Sequence, residues 1–483
     1  MTEQVVIVGG GIGGLGSALL LSRAGHQVTV LDRDDLTARP DPDAAFEGER
    51  RGAPQVRHTH GFLARLTGVL REHFADVLDD LHDAGAYEVG LEGPAEDPRA
   101  NPEEPRILIA RRTTLEWALR RAVATDGRIE CRSGVAAESL AGDPASDGAP
   151  AVVRGVRLSG EGADAAEVLD ADTVIAAGGR RQNVPALLAP LGVTITEAEE
   201  DTGIIYLTRW YRHREGWVPD GEAKLAGDLG FVKYLVIPGD AGTISATLAI
   251  PSNDREVRAA LLDGDRFDRA VAMLPGPDHV MADGVDAPIG PVNPMGGLVN
   301  RIRTFVDAGG APLVTGLHAV GDAHTCTNPF YGRGCSLALV QACLLADAFA
   351  AHPDDAAARV AAYEAASRRD VEPWYHVSGA TDSFGRAAAR RRQGGEGDAD
   401  IAGDGDDSGQ LALAMRAVIL GGATDPVIGQ GVWKVMNMLA TPDQLFLDPE
   451  FMSRVQALMA DPAALGAGFP TGPDRAELLA AVA

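Results

Sequence analysis

Lysine is almost missing from this chain. Only Lys224, Lys233 and Lys434 occur in 483 residues, and 43 basic against 69 acidic residues leave a formal net charge of −26. Nucleic acid and anionic membranes reward clustered cations, so neither is an expected partner. Cysteine is scarce as well. Cys131, Cys326, Cys335 and Cys343 form no C-x-x-C pair and show no zinc-ligand spacing, which argues against a disulfide framework and against a metal site. No apolar run approaches the ~20 residues that a bilayer span needs. The chain enters an apolar strand almost at once, without a basic and apolar leader, so a cytosolic, reduced protein is expected. What remains, 45% hydrophobic residues, is ordinary globular composition, and the length calls for two or three domains.

The most informative stretch comes first. Val5-Val6-Ile7-Val8 runs into Gly9-Gly10-Gly11-Ile12-Gly13-Gly14, followed by an apolar helix through Leu19-Leu20-Leu21, a stop at Ala24-Gly25, and a second strand ending at Asp32. This is the pattern of a dinucleotide-binding βαβ unit. Gly9 permits the tight turn, Gly11 lets the backbone approach a pyrophosphate, and Gly14 lets the helix lie close to the sheet. The amides of Ile12 and Gly13 at the helix start, with its positive dipole, would hold phosphates. Asp32 stands near the ~20-residue spacing expected of a carboxylate that bonds an adenosine ribose, with Arg33 beside it.

Further along, Leu36 to Arg51 reads as a long polar loop, and Phe62 to Leu81 as a helical pattern. Residues Gly90 to Glu104 look like an excursion. Ile107 to Ala110 is a strand, Thr114 to Val123 a helix, and Asp172 to Ala176 a buried strand closing on Gly178-Gly179-Arg180. Three β-branched and aromatic runs, Gly203–Tyr211, Phe231–Ile237 and Thr243–Ile250, suggest an antiparallel sheet, a natural wall for a substrate pocket. Leu317–Val320 returns to strand, Gly321-Asp322-Ala323 follows at its end, and long helices begin near Cys335 and Asp355. Gln393 to Gly409 reads as a mobile linker, with helices beyond it around 411–420, 432–439 and 451–459.

Three separated segments share one purpose. Gly9-x-Gly11-x-x-Gly14, Gly321-Asp322 and Pro329-x-x-Gly332-x-Gly334 together resemble the FAD-dependent monooxygenases of the para-hydroxybenzoate hydroxylase type, over residues 1 to about 375. Gly52-Ala53-Pro54-Gln55-Val56-Arg57-His58-x-His60 and Arg111-Arg112-Thr113-Thr114-Leu115-Glu116-Trp117 are similar to the epoxidase-like bacterial branch. The resemblance implies an α/β chain with a discontinuous three-layer Rossmann-like FAD domain (1–80, 105–190, 300–375). It adds an antiparallel substrate sheet (81–104, 191–299), while 376–483 would be linker and helical C-terminal region.

It also implies roles. Asp322 would meet the ribityl chain; Pro329, Gly332 and Gly334 would neighbour the flavin ring, with the helix after Gly334 facing its pyrimidine edge; Arg112 and Val135 would contact the cofactor. Arg57 would touch a phosphate or NAD(P)H, and His58 and His60 would serve as loop structure. Bound FAD would insert one atom of O₂ into an aromatic or alkene small molecule through a flavin C4a-hydroperoxide, with NAD(P)H as a visiting reductant. No catalytic base is assigned. One departure stands out: the family's aspartate near Gly178 is absent from Ala176-Ala177-Gly178-Gly179-Arg180, leaving Asp172 or the backbone to replace it. A flavin halogenase would require a lysine about 70 residues past the glycine loop, where none occurs. A flavin reductase of prenyl double bonds and a non-enzymatic binding protein are the remaining alternatives. Substrate identity and oligomeric state stay open.

Overall fold

The computed structural model describes residues 2–91, 93–94, 101, 103–146, 148–160, 167–217, 225–393, 407–461 and 472–483. Its central sheet has five parallel strands in the order Leu317–Ala319, Thr173–Ala176, Gln4–Val8, Gln27–Asp32 and Ile129–Ser133. Side chains alternate across it, as a period of two requires. Val5, Ile7, Val28, Val30 and Ile175 face the helices Ile12–Arg23 and Gly334–Ala351, whereas Val6, Val8, Leu31, Val174 and Ala176 face a second sheet. That second sheet is built on the hairpin Ala136–Asp143 and Ala151–Ser159, so the three layers are helix, parallel sheet, antiparallel sheet. Against the expectation that no apolar run approaches spanning length, the helix Gly334–Ala351 is, among the described residues, long and apolar enough to cross a membrane, and most of it is buried in this core.

The expected second sheet is present. Ile204–His213, Lys233–Pro238 and Thr243–Pro251 pair antiparallel, with Ala226–Asp228 and Val285–Pro288 at the edges. Its outer face buries the helices Arg255–Leu261 and Gly264–Val271 and also Leu478 and Val482 from the end of the chain. Arg475 fixes that end by a two-pronged bond to Asp254, at 2.8 and 2.9 Å. A three-stranded strip, Thr196–Asp201, Val299–Thr304 and Thr325–Cys326, connects the two large sheets.

Four expectations change. The loop 36–51 contains a helix, Pro42–Glu47, started by Asp41, whose side chain accepts from Ala44 N, and by Pro42 in the first turn. The pattern over Phe62–Leu81 is two helices, Ala64–His73 and Ala75–Asp83, broken at Phe74, where φ −140° and ψ 46° leave the helical region. The hairpin 136–159 was not foreseen, because its small and charged residues dilute the alternation. A helix, Glu372–Gln393, runs without a break across the boundary expected at 375. The excursion at 90–104 and the linker at 393–409 lie largely outside the described residues, and the three C-terminal helices fall on Asp407–Thr424, Pro426–Met436 and Pro449–Met459.

The nucleotide unit and the substrate sheet are pinned by one fully buried ion pair. Arg111 donates through Nε and Nη2 to the two oxygens of Asp240, each at 3.0 Å, and its backbone N–H adds a third bond at 2.7 Å. The guanidinium also lies 4.9 Å from the Phe46 ring.

Candidate functional site

At the carboxyl ends of the parallel strands lies a continuous cavity of about 700 Å³, within the range of cofactor and small-molecule sites and at the edge where open α/β sheets bind ligands. At one end it is built from the glycine turn. Gly9 has φ +121°, and a Cβ there would collide with the Ala177 carbonyl; at Gly14 a Cβ would collide with the Gly9 carbonyl. Gly14 therefore sits beneath the turn and does not line the cavity. Gly11 is the opposite case, since a Cβ would meet no atom within 4 Å. The helix Ile12–Arg23 begins there with no side-chain cap, so its first-turn amides are free for an anion.

Asp32 is already fixed by two amides. Its Oδ2 accepts from Gly10 N at 2.7 Å and its Oδ1 from Asp34 N at 2.9 Å, and the residue lines the cavity. Arg33 is exposed at the mouth, and Val135 donates its N–H to the Asp32 carbonyl at 3.0 Å, closing this end. Arg50 was missed by the sequence reading. Its buried guanidinium lies 3.2 Å from both Asp34 and Glu116 while lining the cavity. The signal in the sequence was the Arg50-Arg51 pair that closes the loop.

In the middle, Arg112 donates to Glu116 at 3.0 Å. Burial alone would raise the Glu116 carboxyl, but Arg50, Arg112 and Arg120 outweigh it and bring it down to about 2. Asp322 lines the cavity with Arg112, and no described residue donates a hydrogen bond to it. Burial raises its pKa, opposed by Arg112, Arg180 and Arg301. A group whose folded pKa is raised makes the fold less stable as pH climbs through that value. Asp322→Asn is therefore expected to raise the unfolding temperature of the apo protein at pH 7 while weakening FAD binding roughly tenfold, the loss of a charge-assisted bond. Calorimetry and flavin titration on the same variant check both halves.

At the far end, Pro329 and Gly332 line the cavity, and the helix from Gly334 again starts without a side-chain cap. Opposite them, His58 Nδ1 and Thr208 Oγ1 lie 2.9 Å apart, Thr208 and Thr247 share a hydroxyl bond at 2.6 Å, and Thr247 and Thr59 another at 2.7 Å. His60 Nδ1 donates to the His58 carbonyl at 2.9 Å. The histidines thus have structural bonds, as expected, yet both also line the cavity with Met295, Leu298 and Cys326. Burial, aided by nearby Arg180, pushes His58 down to about 4; burial, aided by Arg112, pushes His60 down to about 3. Both imidazoles are neutral at physiological pH.

Neutral buried histidines protonate only on unfolding, so the unfolded chain binds more protons below pH ~6.5 and stability falls as pH drops from there. The double variant His58→Gln, His60→Gln should flatten the decline of unfolding temperature between pH 6.5 and 4.5. An unchanged slope would remove these two groups as its cause.

Two residues fall elsewhere. Arg57 turns away from the cavity, donating to the carbonyls of Glu47 and Gly48, both at 3.2 Å, with its guanidinium 4.9 Å from the Phe46 ring. Asp172 is exposed at the opposite end of its strand, accepting from Gln4 N at 2.8 Å, so it cannot replace the missing acid. Gln182 stands in that place instead, its Oε1 accepting from Gly178 N at 2.7 Å beside Arg180 and Arg181.

The donor set fits FAD. An open glycine cradle and uncapped helix suit a pyrophosphate, Asp32 a ribose, and the donor-free Asp322 a polyol chain; the Pro329–Gly332 segment and a second helix start then suit a flat ring. Residues 7–81 match the family model of the NAD(P)-binding Rossmann-like domain. The chain is 28% identical over 387 residues to kynurenine 3-monooxygenase of Salinispora arenicola, covering 76% of each. It is 28% identical over 234 residues to Protein Rv3254 of Mycobacterium tuberculosis, spanning 45% of this chain and about half, 46%, of that relative. Among solved structures, the probable FAD-dependent monooxygenase PqsL of Pseudomonas aeruginosa superposes with TM-score 0.55 and 17% identity, over 81% of this chain and 96% of that one. The flavin-dependent brominase Bmp2 superposes with TM-score 0.61 and 15% identity, over 95% and 99%. The chain has the fold that FAD-dependent monooxygenases share with the flavin-dependent halogenases.

Proposed function

We propose that this protein is an FAD-dependent monooxygenase acting on a small, uncharged aromatic or alkene substrate, with NAD(P)H as a transient reductant. The observation that carries the reading is the continuous cavity that the Gly11 cradle, Asp322 and the Pro329–Gly332 segment line together, with Met295 and Leu298 beside them. Bound FAD would supply the redox chemistry and the activation of O₂; the protein supplies position and a dry, shaped pocket.

The lining residues support these contributions. The open first turn at Ile12, with Arg112, would hold the phosphates, and Asp32 would hold the ribose. Asp322 would accept from the ribityl hydroxyls. The helix start at Gly334 would place positive potential beside the ring, favouring added negative charge there. On the substrate side, His58, His60 and Thr59 offer neutral hydrogen-bond partners among Met295 and Leu298, which suits a weakly polar molecule. The absence of a lysine before Lys224 favours oxygenation over halogenation. The four cysteines are free, in keeping with a cytoplasmic setting.

The test is reconstitution. Purified protein should bind FAD with a structured absorbance spectrum, and NADPH with a suitable aromatic or polyene should drive O₂ uptake matched by an oxygenated product. Protein unable to take up FAD would sink the reading, and anaerobic saturation of a substrate double bond would assign it to the reductases.

A further inference from the structure

The helix Glu372–Gln393 begins at the edge of the stretch that the family resemblance covers and runs beyond it, yet it grips the segment that forms the ring end of the cavity. Asp382, buried at 7% exposure, accepts three hydrogen bonds. Asn300 Nδ2 donates to Oδ2 at 2.7 Å, and Asn328 Nδ2 and the Tyr331 hydroxyl donate to Oδ1 at 2.7 and 2.8 Å. One turn earlier on the same helix, Ser378 Oγ accepts from Arg333 Nη1 at 2.7 Å, and the Arg333 guanidinium lies between the rings of Tyr331, at 4.7 Å, and Trp374, at 5.3 Å. Asn328, Tyr331 and Arg333 bracket Pro329 and Gly332, which line the cavity together with Thr327 and Gly334.

The chemistry of Asp382 matters as much as its place. A carboxylate accepts only, so it compels both asparagines to turn their NH₂ groups toward it. Their carbonyl oxygens then face the other way. Asn300 Oδ1 accepts from Asn328 N at 2.7 Å, and Asn328 Oδ1 accepts from Phe330 N at 3.0 Å and from the Tyr206 hydroxyl at 2.6 Å. One acceptor therefore sets the orientation of two amides, which in turn hold the loop backbone and a strand of the substrate sheet.

We propose that Asp382 is a positioning residue for the flavin ring: through Asn300, Asn328 and Tyr331 it fixes the loop at Pro329–Gly332 against which the isoalloxazine is seated. The inference rests on the FAD reading above. The sharpest variant is Asp382→Asn, which keeps the size but offers a donor where one donor, at the Oδ2 position, or two, at the Oδ1 position, already converge. One amide must flip, and a backbone N–H of the loop loses its partner.

The experiment titrates apo wild type, Asp382→Asn and Tyr331→Phe with FAD, riboflavin and ADP. ADP reports the glycine-turn end alone, riboflavin the ring end alone. Asp382→Asn should weaken FAD and riboflavin tenfold or more and leave ADP within twofold. Tyr331→Phe, which deletes a single bond, should give a smaller loss with the same pattern. In the Asp382→Asn holoprotein the flavin absorbance near its long-wavelength band should lose vibronic structure, as for a looser ring. Equal weakening of all three ligands would mean that Asp382 supports the fold as a whole, and unchanged riboflavin affinity would mean that the loop keeps its place without it; either overturns the proposal. A wild type that binds ADP but neither flavin would instead defeat the FAD reading itself.

Discussion

Gly11→Val is expected to cost on the order of 100-fold in FAD affinity, about 3 kcal/mol, with the apo protein's unfolding temperature nearly unchanged. At Gly11 a Cβ meets nothing within 4 Å, and φ −88° with ψ −174° is extended backbone that valine adopts readily. The added isopropyl group therefore enters empty cavity, the space a pyrophosphate must occupy to reach the open amides of the first turn. Loss of glycine as the residue before a helix costs the fold only a few tenths to ~1 kcal/mol. Gly14→Ala, three residues on, should invert this result. Its methyl group collides with the Gly9 carbonyl, so the helix must lift from the sheet, at roughly 3 kcal/mol or more. Denaturant unfolding and flavin titration of the two variants separate the roles; a Gly11→Val protein that binds FAD normally would place the pyrophosphate elsewhere.

That contrast shows where the sequence was readable. The glycine turn and Asp32 were legible because each depends on local geometry, a tight turn and a strand end, whereas Asp322 and the Pro329–Gly334 segment were singled out through the family resemblance, and the fold brings them to the same cavity. The three strands around Tyr206, Tyr234 and Thr247 were legible because their β-branched and aromatic residues leave few other options. Contacts between distant segments left no such mark. Arg50 meets Glu116, His58 meets Thr208, and Asp382 meets Asn328 only after the chain has folded. Arg57 illustrates the converse. The family resemblance implied a phosphate or NAD(P)H contact, but the helix Pro42–Glu47, read as loop, and its end at Gly48 supply the two carbonyls and the Phe46 ring that hold its side chain. A missed local element thus displaced a site residue.

Asp240→Ala is expected to destabilise the protein by ~3–5 kcal/mol, the usual cost of leaving one member of a buried pair without its partner. Arg111 and Asp240 both have side chains fully shielded from solvent, and Asp240 also receives the Thr114 hydroxyl, at 2.5 Å, beside the three bonds from Arg111. Removing the carboxylate leaves a buried guanidinium whose remaining partner is Asp43, half exposed, at 2.8 Å. For a chain of 483 residues unfolding as one unit the loss corresponds to a fall in unfolding temperature of about 3–5 °C. The same pair joins the helix that carries Arg112 to the sheet whose Thr208 and Thr247 hold the cavity-lining His58 and Thr59, so both sides of the site depend on one anchor. Asp240→Ala should therefore weaken substrate binding more than ADP binding, since ADP touches the nucleotide wall alone. Replacing both partners, Arg111→Met with Asp240→Leu, should recover most of the stability by removing the uncompensated charge. If the single variant loses less than ~1 kcal/mol in denaturant unfolding, the pair is not the anchor, and the strip Thr196–Asp201 and Val299–Thr304 must carry the connection between the walls instead.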